Sequence, residues 1–192
     1  MKNNNFDQSA EKYAAWFLEN TNVLYSEAAL VAYFLRKGEK ILSIGCGSGL
    51  FERILRTDYD ITVEDGVEPS SDMAQIARAR GMKVTVATAE DYVAAPESYD
   101  TILYNLAKAL GTWDHPLLEG VQPKDPYPIE LVTKACWRTT AEKVGSMRTA
   151  GFSDFEYAQT LTTHPLNSGD YIQKPLPGYD SGDYVAICGY KR

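Results

Sequence analysis

The sequence predicts an α/β fold, a parallel sheet with helices on both faces. Three observations carry that expectation. Short apolar runs alternate with amphipathic stretches through the first hundred residues, as crossover helices and parallel strands require. A glycine triplet stands between the first apolar run and the amphipathic stretch after it. The composition is that of a globular chain. Its 192 residues, 44% hydrophobic and 23% charged, are enough to bury a core without disulfides or metal and too apolar for disorder.

In chain order, residues 9–20 (SAEKYAAWFLEN) predict a helix with Tyr13, Trp16 and Phe17 along one stripe and Ser9 as its cap. A second helix covers 23–36, where Leu24, Ala28, Val31 and Leu35 recur at helical spacing, and Gly38 ends it. KILSI (40–44) reads as a strand, GCGSG (45–49) as a turn and LFERILR (50–56) as a helix. ITVEDGVEP (61–69) is a second strand, followed by a helix over 70–80 and Gly81. KVTVATA (83–89) is a third strand, and YDTILYN (99–105) a fourth, leading into a helix at Leu106. The Pro-rich stretch 111–128 reads as irregular. A helix over 139–150 opens with Thr139 and Glu142 at capping-box spacing and closes before Gly151. Residues 152–161 and 183–190 complete six strands. The loop between them, 162–182, predicts a mobile cover with Tyr171 and Tyr179 as aromatic surface and Gly169, Gly178 and Gly182 as hinges.

Charge and composition narrow the function classes. Lys and Arg number 19 against 26 Asp and Glu, a net charge of -7 with no basic run, which disfavours nucleic acid as a partner. No apolar run reaches a membrane span, and MKNNNFDQSAEKY lacks an apolar signal core, so the expectation is a cytoplasmic protein that does not span a membrane. Cys46, Cys136 and Cys188 are far apart, and His115 and His164 are the two histidines, so no metal site is expected.

The glycine turn carries the functional signal. Gly45, Gly47 and Gly49 follow a strand and open a helix, where the chain must turn tightly and a ligand can approach bare backbone. Glu68 ends the next strand, 19 residues after Gly49, the position from which an acid reaches ribose hydroxyls in nucleotide-binding α/β folds. A dinucleotide fingerprint needs a small residue at its sixth position, which here is Leu50. That argues against NAD or FAD and for an adenosine ligand without a pyrophosphate.

With those residues in view, the sequence resembles the class I S-adenosylmethionine-dependent methyltransferases, in particular the small-molecule type 11 group. ILSIGCGSG (41–49) is similar to their first motif, and GVEPS (66–70) to the second. ATAEDY (87–92) is similar to the segment that borders the adenine, and YDTILYN (99–105) to the fourth strand. The resemblance implies a single Rossmann-like domain over 1–192, with a helical cap in 1–37 and the α/β core in 38–192. It implies S-adenosyl-L-methionine as cofactor, a small-molecule methyl acceptor, and cofactor contacts from Tyr13, Gly45, Cys46, Gly47, Gly49, Glu68, Pro69, Ala89, Glu90 and Asn105, with Asp91 assisting. Tyr13, Trp16 and Phe17 resemble that group's aromatic cap, although plain packing of an amphipathic helix explains them equally.

Two departures stand out. The family carries Asp or Glu two residues before the first glycine, near the cofactor's ammonium. Here Ser43 occupies that place, with Asp7 or Glu11 as candidate substitutes. The family also has seven strands, and nothing in 106–139 matches its fifth. Removing that strand from the family's order leaves 3-2-1-4-7-6, with the last strand antiparallel and the fourth paired directly to it. For the acceptor site, Tyr104, Trp113, Tyr127, Tyr171 and Tyr179 offer aromatic walls, and His115 and His164 are the available bases, each also readable as a plain loop residue. Three functions stay open at this point: an active methyltransferase, a cofactor-binding but inactive relative serving as a partner subunit, and a nicotinamide-dependent oxidoreductase, which Leu50 disfavours.

Overall fold

The computed structural model describes residues 17–104, 139–162 and 171–191. In chain order its elements are α1 (Thr21–Phe34), β1 (Ile41–Ile44), α2 (Leu50–Asp58), β2 (Asp65–Val67), α3 (Ser71–Ala79), β3 (Lys83–Thr85), β4 (Thr101–Tyr104), α4 (Thr140–Thr149), β5 (Phe152–Thr160), β6 (Leu176–Pro177) and β7 (Tyr184–Lys191). They group into two compact units, residues 1–19 with 35–106, and residues 20–34 with 107–192.

The first unit holds a parallel sheet in the order β3-β2-β1-β4. Leu42 and Val67 are shut away from solvent on its central strands. Helix α2 forms because Leu50, Phe51, Ile54 and Leu55 make one apolar face, which it buries. Phe51 meets Phe17 edge to face, with ring centroids 5.7 Å apart. Helix α3 starts where the Ser70 hydroxyl accepts from the Met73 amide, and it buries Met73, Ala74 and Ala77. Register aligns the strand ends: Ile44 pairs with both Val67 and Tyr104, and Val67 with Thr85. The chain leaves β1 towards β2 on one side and meets β4 on the other. That reversal is where ligands bind in open α/β sheets.

The second unit is an antiparallel sheet in the order β6-β5-β7, with α1 packed on β5 and β7 and α4 packed on β5. Strands β5 and β7 pair from Phe152 with Lys191 to Thr160 with Tyr184, with an irregularity between Ser153 and Glu156. The capping box expected at α4 is formed: the Glu142 carboxylate accepts from the Thr139 amide at 2.7 Å, and the Thr139 hydroxyl accepts from the Glu142 amide at 3.2 Å.

The antiparallel last strand is as expected, but the six-stranded order is not. Among the described residues there are seven strands in two sheets, β4 pairs with β1 alone, and β7 pairs with β5. Ile102 and Tyr104, two residues apart and so on one face of β4, are about half exposed, at 54% and 49%. Strands β5 and β7 are nine and eight residues long and satisfy each other's backbone over most of that length.

The loop expected as a mobile cover is also different in its described half. Residues 176–177 form β6 against β5. Gln159, buried on β5, straps the segment after β6. Its amide donates to the Pro177 carbonyl at 3.2 Å and to Asp180 at 2.9 Å, and its carbonyl accepts from the Ser181 and Gly182 amides at 2.9 and 2.7 Å. One buried side chain thus satisfies backbone groups that a free loop would give to water. Upstream, Gln173 donates its backbone amide to the Ser26 hydroxyl of α1 at 2.8 Å. Gly169 lies outside the described residues.

Candidate functional site

The predicted turn is built as the sequence implies, and its three glycines differ in what they require. All three have positive φ: 74° at Gly45, 55° at Gly47 and 69° at Gly49. A Cβ at Gly49 would stand 2.8 Å from the Met82 sulfur and 3.2 Å from the Ala77 Cβ, so glycine there lets α3 close on the turn. A Cβ at Gly47 would meet nothing within 4 Å. Gly47 therefore exposes backbone on an open side, where a ligand can come close.

Three groups hold the turn. The Gly45 and Cys46 amides both donate to the Val67 carbonyl, at 2.8 and 3.2 Å. Arg80 reaches in from the end of α3 and donates to the Ser48 carbonyl and hydroxyl at 2.6 and 2.7 Å. Glu68 is the third. One carboxylate oxygen accepts from the Gly47 amide at 2.8 Å, the other from the Ser70 amide at 2.9 Å, and its own amide donates to Thr85 at 3.1 Å. Only 6% exposed, Glu68 ties the turn, the end of β2 and the start of α3 together. Its position in the sequence implies a ligand role, and this bracing is an added one.

Of the other predicted cofactor residues, Cys46 is buried within the turn, and burial pushes its thiol well above the ordinary range, with the Glu52 and Glu68 carboxyls acting in the same direction. Pro69 is exposed beside Glu68. Ala89 and Glu90 lie in the turn after β3, which a 2.8 Å hydrogen bond from the Thr88 hydroxyl to Asp91 fixes. Glu90 also raises the Tyr104 hydroxyl, behind the larger effect of burial, so this turn and the end of β4 are neighbours. Tyr13 and Asn105 lie outside the described residues, as do Trp16, His115, His164, Trp113 and Tyr127.

Sequence reasoning missed Glu52. It lies in the first turn of α2, is 3% exposed, and accepts a 2.6 Å hydrogen bond from the Ser43 hydroxyl through Oε1. Its Oε2 is buried with no partner among the described residues. Burial pushes the carboxyl up to about 7, Glu68 adds to the rise, and Ser43, the Glu52 backbone and Arg80 oppose it. The acid that the first motif lacks at position 43 thus stands across from it on α2. Asp7 and Glu11, the expected substitutes, lie outside the described residues. The available signal was Ser43 itself, a small hydroxyl in a position that calls for charge.

A cleft of about 350 Å³ opens elsewhere in the same unit, lined by Asp65, Arg78, Lys83, Thr85, Tyr92 and Tyr99 among others. None of the predicted cofactor residues borders it, and Tyr99 already donates to Asp65 at 3.2 Å. The glycine turn is therefore the candidate site. Among the described residues no group of His, Cys, Asp and Glu is arranged to hold a metal ion, and no helix is long and apolar enough to cross a membrane.

No family model matches the chain. An uncharacterized protein, MJ1123, of Methanocaldococcus jannaschii is 26% identical over 98% of this chain and 99% of its own length. A crystal structure from Thermotoga maritima, described as a SAM-dependent methyltransferase and possible histamine N-methyltransferase, superposes with a TM-score of 0.76 at 29% identity, covering 97% of this chain and 98% of that one. A methyltransferase solved in complex with the Haloferax volcanii Trm112 methyltransferase activator superposes at 0.52 with 20% identity, over 78% and 76% of the two chains, which is a likeness of fold. The chain therefore has the Rossmann-like α/β fold of S-adenosylmethionine-dependent methyltransferases.

Proposed function

We propose that this protein is an S-adenosylmethionine-dependent methyltransferase acting on a small molecule. The observation that carries the reading is the glycine turn at the reversal of strand order, clamped by a buried Glu68 and open at Gly47. The residues present fit an adenosine ligand. Gly47 admits a ligand to the backbone, and the Glu68 carboxylate stands on the Gly47 amide itself, within reach of a ribose laid over that glycine. A carboxylate has about four lone-pair positions, so it can brace backbone amides and accept from a hydroxyl at once.

When bound, the cofactor supplies a methyl group on a sulfonium, which an acceptor's lone pair displaces in line. The chain's own part is to bind and orient. Gly45, Cys46, Gly47 and Gly49 shape the floor, and Glu68 with Pro69 takes the ribose. Ala89 and Glu90 border the adenine, and Tyr13 and Asn105 are assigned to the cofactor by the sequence resemblance. The half-exposed Tyr104, next to the Glu90 turn, suits one wall of the acceptor site. The overall similarity to the Thermotoga maritima enzyme along nearly the whole chain supports the assignment.

The test is transfer of a labelled methyl group from S-adenosylmethionine to a panel of amine, hydroxyl and thiol metabolites. The expected result is turnover of one acceptor class with release of the demethylated cofactor. Tight cofactor binding without transfer to any acceptor, including protein extracts, would turn the reading towards an inactive partner subunit.

A further inference from the structure

Glu27 stands at the centre of a buried helix face. Helix α1 buries Val23, Leu24, Ser26, Ala28, Leu30 and Val31. At about 3.6 residues per turn, those six flank position 27 evenly: Val23 and Leu24 one turn before it, Leu30 and Val31 one turn after it, Ser26 and Ala28 to either side. Solvent still reaches Glu27, which is half-buried where its neighbours are sealed. Among the described residues no hydrogen bond or ion pair serves its carboxyl, and burial pushes that group up to about 8 with nothing to oppose it. An acid kept in an apolar face without a partner costs stability, and sequences keep such costs mainly where a ligand is met. The segment lying against α1 supplies a second unsatisfied group, of the opposite kind. Gln173 donates its backbone amide to the Ser26 hydroxyl at 2.8 Å, and its side-chain oxygen accepts from the Thr162 amide at 3.0 Å. Its Nε2 is buried with no partner, in a residue that is 8% exposed. The acceptor on α1 and the donor bonded through Ser26 to the next residue of that helix belong to the same compact unit.

We propose that Glu27 and Gln173 form a binding site for a small organic cation, an amine that also carries a hydrogen-bond acceptor a few atoms from its nitrogen. The ammonium takes the Glu27 carboxylate, which when ionised only accepts, and the ligand's acceptor takes the Gln173 NH2 group, which only donates. The buried apolar neighbours on α1 keep water from competing, so each bond is stronger there than on an open surface. A metal ion fits the donor set poorly, because among the described residues no group of His, Cys, Asp and Glu gathers to complete its coordination. An apolar ligand would leave both polar groups buried and unpaired. The site lies within the second unit and does not draw on the cofactor assignment.

The experiment is a ligand-observed NMR titration of the full chain, without cofactor, using three probes of equal length. They are 3-amino-1-propanol, which carries both groups, n-butylamine, which carries the ammonium alone, and n-butanol, which carries the hydroxyl alone. At about pH 9 Glu27 has lost its proton and an alkylamine keeps its own. The aminoalcohol should bind at about millimolar, the range open to a ligand this small. Butylamine should bind about tenfold more weakly, because the Gln173 donor stays unpaired, and butanol should show no binding. Glu27→Gln should abolish the preference for amines. It should also raise the melting temperature of the free protein at this pH, since an unpaired buried charge is gone. Gln173→Met should bring the aminoalcohol down to the level of butylamine and leave the requirement for an amine in place. The wild-type ranking needs no variant. Butanol binding as well as the aminoalcohol, or no binding of any probe at tens of millimolar, would overturn the proposal. So would E27Q that keeps the preference for amines or melts below wild type.

Discussion

Replacing Glu68 by Gln tests the turn most closely. The substitution keeps size and burial but exchanges one acceptor oxygen for an NH2 group. In the folded protein both oxygens accept from backbone amides, Gly47 at 2.8 Å and Ser70 at 2.9 Å. A carboxamide can serve only one of them. The other amide then faces a donor in a site that is 6% exposed, with little access to water. Leaving a buried donor unpaired costs about 1–3 kcal/mol, and weakening a bond to a charged acceptor adds to that, so a loss near 2 kcal/mol is expected. For a chain of this size that lowers the melting temperature by roughly 4–8 °C. Urea unfolding of the free protein reads the cost, and calorimetry with S-adenosylmethionine reads the ligand role. Because ribose would lose the same acceptor, affinity should fall by about 1.5–3 kcal/mol. A variant as stable as wild type would refute the bracing. A destabilised variant with full affinity would refute the ribose contact while leaving the bracing in place.

Three further outcomes are expected. Gly49→Ala meets both a φ of 69° and a contact of 2.8 Å to the Met82 sulfur, so it should cost about 2–4 kcal/mol in urea unfolding, more than Gly47→Ala, where only the backbone conformation resists; equal costs would contradict the packing argument. Gln159→Ala removes four hydrogen bonds to 177–182 and should expose that segment to limited proteolysis; an unchanged cleavage rate would show that the strap is dispensable. The Glu52 carboxyl, ordinarily near 4.5, is pushed up to about 7 in the folded state, so the fold binds more protons than the unfolded chain between those values. Stability from this group is therefore present below pH 4.5 and lost as pH rises through 7, by up to about 3 kcal/mol. The half-buried Glu27, pushed up to about 8 by burial, acts in the same direction. Glu52→Gln should flatten the pH dependence between 4.5 and 7, and a slope unchanged by that variant would mean that Glu52 is ionised throughout.

What could be read from the sequence was local. Strand, glycine turn and helix are adjacent in the chain, so KILSI, GCGSG and LFERILR suffice to specify the turn, and Thr139 with Glu142 suffices for the cap of α4. Partner choice between strands separated by dozens of residues was not legible. The fourth strand's apolar residues say that it belongs in a sheet, not which strand covers its outer edge. Strand β6 has two residues, one of them Pro177, and depends on Gln159 side-chain bonds that leave no periodic trace. Glu52 was missed because helical periodicity sets it away from Leu50, Phe51, Ile54 and Leu55, the face expected to be buried. It is buried with a hydrogen bond from Ser43 on β1, a tertiary contact that a helical wheel does not contain.

An adenosine-bearing sulfonium cofactor is expected to bind at the turn of residues 45–49. Titration calorimetry of the wild-type chain at about pH 7.5, where carboxylates of ordinary pKa are ionised, with S-adenosylmethionine and separately with NAD, tests it most directly. One molecule of S-adenosylmethionine is expected to bind per chain, displaced by S-adenosylhomocysteine and weakened in E68Q, with no binding of NAD. Binding of NAD, or S-adenosylmethionine binding that E68Q and displacement by the product leave untouched, would contradict it.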